Sequence, residues 1–431
     1  MKRAIVVGVM ACVVGVMGAD FNVKGYGAKG DGTTVDTTAI QKAVDAAGTA
    51  GGGRVVVPAG DYACGSIRLR AGVDLHLEKG ATLKGSARSE DYADFPDEIC
   101  TIHPEKSKKV FVYAWDANDI AITGEGVIDA QGPKFFDTSK GGAYWPKPPV
   151  QRPRMVQFVG CRGVRLSGVT FKDSPCWTML IRLCENVEVD GIVIDGDQRM
   201  INNDGIDFDG CRHVRVGNSR FRTCDDCIVL RAMREPGIAE RVVCEDVVVS
   251  NCTLNSACQT IRLGCPSDDT IRNAVFRNLV GEGNNGIFAD YPERYLRSDD
   301  EGYMDISGIT FENYRGTFRG SAIQIVSQPG VKIRRADGFV FRDFDVTSAQ
   351  PLRFIGNKDH EIGSVLLENV KAQVKGTGAP YVARGCRGLV FKDVSFRDQS
   401  APDGAVTAEP GSDAPLKRQK SVSWESTTKR K

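Results

Sequence analysis

From about residue 155 onward one short phrase keeps returning: a Gly or Asn, then two small or apolar residues flanking a third of any kind. Its copies are Gly168-Val169-Thr170-Phe171, Gly191-Ile192-Val193-Ile194, Asn218-Ser219-Arg220-Phe221, Asn251-Cys252-Thr253-Leu254, Asn273-Ala274-Val275-Phe276, Gly308-Ile309-Thr310-Phe311, Gly338-Phe339-Val340-Phe341 and Gly388-Leu389-Val390-Phe391. The last residues of the first five copies, Phe171, Ile194, Phe221, Leu254 and Phe276, are 23, 27, 33 and 22 positions apart. A unit that short cannot bury its own apolar side, so copies must stack on one another. The uneven spacing suits a coil of three short strands joined by turns of variable length, with one apolar residue per phrase entering a continuous interior column. The chain is therefore expected to be an all-β solenoid, with function carried by the variable turns.

A solenoid needs its ends covered. Asp36 to Gly48 reads as a capping helix, with Asp36 as N-cap, Ile40, Ala43, Val44 and Ala47 on one face, and Gly48 as the stop. Gly51-Gly52-Gly53, the run Arg54 to Val57 and the turn Pro58-Ala59-Gly60 mark the first coil. Ahead of the cap, Lys2 and Arg3 precede an apolar run, Ala4 to Met17, followed by Gly18 and Ala19; this reads as a secretory signal over 1–19. The run is short of the roughly 20 residues a membrane span requires. Cys12 offers lipid attachment as the lesser alternative. The β-solenoid is expected over 20–397, and 398–431, rich in Ser, Pro, Thr, Lys and Arg, is expected to be a disordered polar tail.

Lys plus Arg total 56 and Asp plus Glu 55, so a net charge of +1 gives no electrostatic reason to bind nucleic acid. Of the 14 cysteines, Cys161, Cys184, Cys211 and Cys252 fall at the edges of strand-like runs, where a thiol serves as a small buried side chain. Stacking in the interior is expected over a disulfide framework. Cys224 and Cys227 form a Cys-x-x-Cys without a second pair at zinc-ligand spacing, and neither metal nor cofactor is expected.

The chemically informative segments are Asn202-Asn203-Asp204-Gly205-Ile206-Asp207-Phe208-Asp209 and Cys224-Asp225-Asp226-Cys227-Ile228. Asp204 and Asp225 are separated by about one coil. On equivalent turns their backbones would lie about 4.8 Å apart and their carboxylates would share one groove. Crowding separates carboxyl pKa values, leaving one group protonated as an acid while another serves as a base. Asp207 and Asp209 alternate with apolar residues and are expected to be solvated or turn-forming.

These segments resemble the polygalacturonase family of inverting glycoside hydrolases. Further matches are Gly25-Tyr26-Gly27-Ala28 with Gly30-Asp31-Gly32, Gly126-Val127-Ile128-Asp129 with Gly132, Arg152-Pro153-Arg154, and Ser174-Pro175 with Trp177-Thr178. The resemblance implies a single-stranded right-handed parallel β-helix of the pectin-lyase-like type. It implies Asp225 as the general acid, Asp204 and Asp226 as the pair that activates water, and a carboxyl separation of roughly 6.5–9.5 Å. Asn202, Gln259, Arg231, Arg262 and Trp177 are the expected substrate contacts. Trp145 and Tyr144 are further aromatic candidates to stack on a sugar. Two departures stand out. Where the family carries Gly-His-Gly this chain reads Cys258-Gln259-Thr260, and where it carries Arg-Ile-Lys to hold a uronate this chain reads Phe288-Ala289-Asp290. Tyr291, Tyr295 and Arg297 follow the altered clamp as a candidate replacement subsite.

The reading is a secreted or periplasmic monomer without a membrane span that hydrolyses an α-linked pectic polysaccharide or oligosaccharide. A lyase or epimerase on the same fold is one alternative, and a glycan-binding β-helix without catalysis is the other.

Overall fold

The structure is a computed structural model that describes residues 19–405, apart from 235–239, 265–266, 292–303, 329–332, 358–359, 377, 398 and 401–403. The signal and Cys12 fall outside the described residues, as do Tyr295 and Arg297.

Strand after strand pairs in parallel with the strand one coil later. Arg154–Val159, Met179–Arg182, Ile206–Asp209, Ile228–Arg231 and the end of Thr253–Leu263 form one face of a parallel β-helix. Val127–Asp129, Thr170–Lys172, Val193–Asp195 and Arg220–Thr223 form a second. Ile120–Gly124, Arg162–Ser167, Glu185–Asp190, Arg212–Gly217 and Val243–Ser250 form the third. Each strand turns alternate residues inward, so Met179, Ile206, Ile228 and Ile261 stack in one interior column.

The recurring phrase proves to be two turns rather than one. Phe171, Ile194, Phe221, Leu254 and Gly281 are in register. Phe276 belongs to a different column, with Phe311, Phe341, Leu367 and Phe391. Asn218, Asn251, Asn278 and Asn313 all have positive φ, between 49° and 56°, which Asn tolerates better than most side chains. Their amides form a ladder along the outside, with Nδ2 of each of Asn251, Asn278 and Asn313 donating to the preceding Oδ1 at 3.2, 3.1 and 2.9 Å.

Helix α1, Thr37–Thr49, closes the N-terminal end with Ile40, Ala43, Val44 and Ala47 buried. Asp36 does not cap it as expected. Its carboxylate is taken by the amides of Lys29 and Gly30, at 2.7 and 2.9 Å, which fold the preceding loop onto the helix start. At the other end Gln399–Ser400 and Gly404–Ala405 pair antiparallel with Cys386–Phe396. These pairs fall within the segment expected to be disordered, because the last parallel strand otherwise offers a bare edge.

No disulfide joins the twelve described cysteines, and all but Cys258 are buried. One column runs Cys161, Cys184, Cys211, with the Cys161 amide 3.4 Å from the Cys184 sulfur, and continues to Cys244 rather than Cys252. Cys224 and Cys227 flank the aspartate pair as buried thiols without a disulfide.

Candidate active site

Asp204 ends the turn before Ile206–Asp209, and Asp226 ends the turn before Ile228–Arg231. The Gly205 amide donates to the Asp226 carbonyl at 2.8 Å, and Cys227 donates to the Gln259 carbonyl at 3.0 Å. Asp204, Asp226 and Gln259 thus stack on successive coils. The coil partner of Asp204 is Asp226, not Asp225, because each coil advances by the strand register. Asp225 lies one residue earlier, its carbonyl held by the hydroxyls of Thr223 and Ser256 at 2.5 and 2.6 Å. Ser256 also accepts the Cys258 amide at 2.8 Å, which draws that thiol towards the aspartates. Donor atoms of Asp225, Asp226 and Cys258 lie within 4.8 Å of one another.

Asp207 and Asp209 are neither solvated nor in turns. Both are strand residues, 0 % exposed and ion-paired. Arg231 reaches one oxygen of Asp207 with Nε at 2.9 Å and Nη2 at 2.8 Å, and approaches Asp204 at 3.7 Å. Arg182 pairs with Asp209, whose other oxygen accepts the Met233 amide at 2.8 Å. Arg262 completes the cationic side, 3.6 Å from Asp226 and 4.9 Å above the Phe288 ring. Phe288 therefore stands where the resemblance would place an arginine, and the cation comes from the coil before it.

Two expected contacts are placed beneath the site rather than on its surface. Trp177 is packed with Cys176 and Leu180, and the Arg231 guanidinium covers one of its faces at 4.3 Å, so it supports that arginine instead of offering the face to a sugar. Asn202 is buried, with Oδ1 accepting from Arg152 at 2.8 Å. Gln259 is also buried, and its Oε1 has no hydrogen-bond partner. Of the aromatic candidates, Trp145 is stacked under Arg199 at 4.4 Å, and Tyr291 is buried. Tyr144, in contrast, is half-buried, and burial raises its hydroxyl pKa, with a smaller contribution from Asp225.

Burial dominates the protonation of this cluster. It pushes Asp204 well above the usual carboxylate range, with Asp225, Asp207 and Asp226 adding repulsion and Arg231 opposing it. Burial raises Asp226 to about 7 against the pull of Arg262, and Asp207 to about 7 against Arg231. Asp225 is also raised by burial, but Arg262 and the Cys258 thiol restrain it. The Cys258 thiol is pushed up by burial and by both aspartates, so it stays protonated. A protonated thiol and a guanidinium beside these carboxylates suit proton transfer better than cation binding.

Sequence reasoning missed Glu105. It comes from a loop four coils earlier, contacts Lys147, lies 3.8 Å from Arg152, and adds to the repulsion on Asp225. No spacing rule ties residue 105 to residue 225; only the folded loop joins them.

Carboxylates gathered at the turns of a parallel β-helix define a protein of the pectin-lyase-like fold. Within that class, residues 48–245 match the model of the glycosyl hydrolases family 28. A probable polygalacturonase of Vitis vinifera is 28% identical over 59% of this chain and 53% of its own. An exo-poly-alpha-D-galacturonosidase of Dickeya chrysanthemi is 31% identical over 48% and 41%. The chain thus spans about half the length of these curated relatives. The crystal structure of an exopolygalacturonase from Thermotoga maritima superimposes with a TM-score of 0.70 at 22% identity, covering 90% of this chain and 95% of that one, and shows the shared fold. Both departures, at 258–260 and 288–290, lie beyond residue 245, where the family match ends.

Proposed function

We propose that this chain hydrolyses an α-linked glycosidic bond in a pectic polysaccharide or oligosaccharide, of galacturonan or rhamnogalacturonan type, and that it does so outside the cytoplasm after export. The catalytic unit is residues 20–397. Asp225 is the general acid; Asp204 and Asp226, in their ionised forms, hold and deprotonate the attacking water.

The observation that carries this reading is that Asp204 Oδ1 and Asp226 Oδ1 are both buried without a hydrogen-bond partner, on adjoining coils beside Asp225. Two bare acceptors, one coil apart, are what a water poised for attack requires. Their other oxygens face Arg231 and Arg262, at 3.7 and 3.6 Å, so the cations fix orientation and leave one lone-pair edge of each free.

Arg262 gives the site its preference for an acidic sugar. It restrains the pKa of both Asp225 and Asp226. A uronate carboxylate paired with Arg262 adds negative charge beside Asp225 and raises its pKa, so binding of the correct substrate protonates the acid. Gln259, in the column of Asp204 and Asp226, presents its orphaned oxygen as an acceptor for a sugar hydroxyl.

Reducing-sugar release from a panel of pectic polymers, with EDTA present, tests the proposal. Asp225→Asn is expected to lower kcat by about 10²–10⁴ with the fold intact, the usual contribution of a general acid. Equal release by the folded variant, or none from any substrate by the parent chain, would sink it. Calcium-dependent release of an unsaturated product would instead mark a lyase.

A further inference from the structure

Thr223 pairs with Ser256 and Ile228 with Ile261. The turn that carries the aspartate pair therefore runs in step with the strand one coil later, and Cys258 is the coil partner of Asp225 as Gln259 is of Asp226. The next coil does not keep that step. Ser256 pairs with Gly283 and Gln259 with Asn285, so strand Thr253–Leu263 carries one residue more than its neighbour between these points. The extra residue makes a β-bulge at 257–258, and a bulge re-aims the side chain it carries.

This bulge is pinned to the acid it faces. Ser256 Oγ donates to the Asp225 carbonyl at 2.6 Å and accepts the Cys258 amide at 2.8 Å, so one hydroxyl joins the two backbones. The Cys258 sulfur and a carboxylate oxygen each of Asp225 and Asp226 lie within 4.8 Å of one another. Among the twelve described cysteines Cys258 alone is half-exposed, so it is not a small side chain filling the interior. Asp226 Oδ1 is buried without a partner, the thiol included, so the thiol proton is not spent on the oxygen that holds water.

We infer that Cys258 is a positioning residue for the general acid: its S–H donates to one oxygen of Asp225 and leaves the other turned towards the glycosidic oxygen. This rests on the hydrolase reading above and deepens it. As the C–O bond breaks, the Asp225 proton passes to the leaving oxygen, the sulfur keeps its own proton, and the S–H bond tightens on the carboxylate that forms. Hydrogen bonds of this kind are commonly long until substrate closes the site. Burial, with Asp225 and Asp226 adding to it, keeps the proton on sulfur, and the thiol joins Arg262 in restraining the acid against burial. The resemblance does not supply this role, because Cys258 lies in one of the two departures, beyond residue 245.

Leaving-group chemistry separates help given to an acid from packing. A sugar leaves only with the acid's proton, whereas para-nitrophenolate departs without it. Cys258→Ala is expected to lower kcat about three- to tenfold on a pectic oligosaccharide, as loss of one hydrogen bond to a developing charge does. On the para-nitrophenyl glycoside of the same sugar the change should stay within about twofold. Cys258→Ser keeps a neutral donor and should restore most of the loss. Equal losses on both substrates, or Ser no better than Ala, overturn the inference; absence of release by the parent chain from every substrate instead condemns the hydrolase reading.

A second measurement needs no turnover. Iodoacetamide attacks the thiolate, so its rate on the Cys258 peptide of the folded protein, followed by mass spectrometry at about pH 8.5, reports how tightly the thiol proton is held. Asp225→Asn removes the charge that the S–H faces and is expected to speed alkylation about threefold or more. An unchanged rate overturns the inference whether or not the parent chain is active.

Discussion

Arg231 is the residue on which the site's charge balance turns. It is 2 % exposed, carries Asp207 on one side and Asp204 on the other, and rests on Trp177. Removing one partner of a buried pair leaves the other charge uncompensated, so Arg231→Met is expected to cost about 3–5 kcal/mol in denaturant unfolding. Adding Asp207→Asn to that variant should recover part of the loss. A loss under about 1 kcal/mol for the single variant, as at a surface pair, would show that Arg231 does not bear this load. Asp204, Asp225 and Asp226 were legible in the sequence because the motifs are local and one coil apart. Asp207 and Asp209 were misread for a definite reason. Alternation in Ile206-Asp207-Phe208-Asp209 tells which residues point away from the interior, but not whether a distant loop covers the outside. Glu105 was hidden for the same reason.

The turn ladder shows how individual elements are held in register. Asn278 has φ of 56° and takes part in two amide bonds, to Asn251 and Asn313. Asn278→Ala loses both bonds and places a residue with poor tolerance in the left-handed region, a cost of about 1–2 kcal/mol for the backbone alone. Asn278→Gly loses the bonds but not the conformation, so it should destabilise less. If Gly destabilised as much as Ala, the lost ladder bonds rather than the strained turn would carry the effect. Unfolding midpoints of the two variants in guanidinium separate these terms. At this scale the sequence disclosed the strands and the capping helix, whose apolar face is as expected. It did not disclose that the repeated phrase marks two corners of the coil, since Gly and Asn satisfy both in the same way.

Over the whole molecule a nearly neutral charge conceals a concentration of buried acid at one place. Asp226, with a folded pKa of about 7 against roughly 3.9 when unfolded, binds its proton more tightly in the native state. Its contribution to stability is therefore fully present below the unfolded value and is lost as pH rises through about 7. Asp226→Asn removes this dependence. Between pH 5 and pH 8 the melting temperature of the parent should fall further than that of the variant, by about 2–4 °C or more. Parallel curves would show that Asp226 is not held protonated by burial. Asp226 also repels Asp204, so the difference reports Asp226 together with its coupling to that neighbour.

The buried thiols also decide how the molecule fails. All but one of the described cysteines are shielded inside the coils, so an oxidant reaches them only after the coils open. Unfolding in an oxidising medium would then end in scrambled disulfides, and durability there becomes a rate of opening rather than an equilibrium.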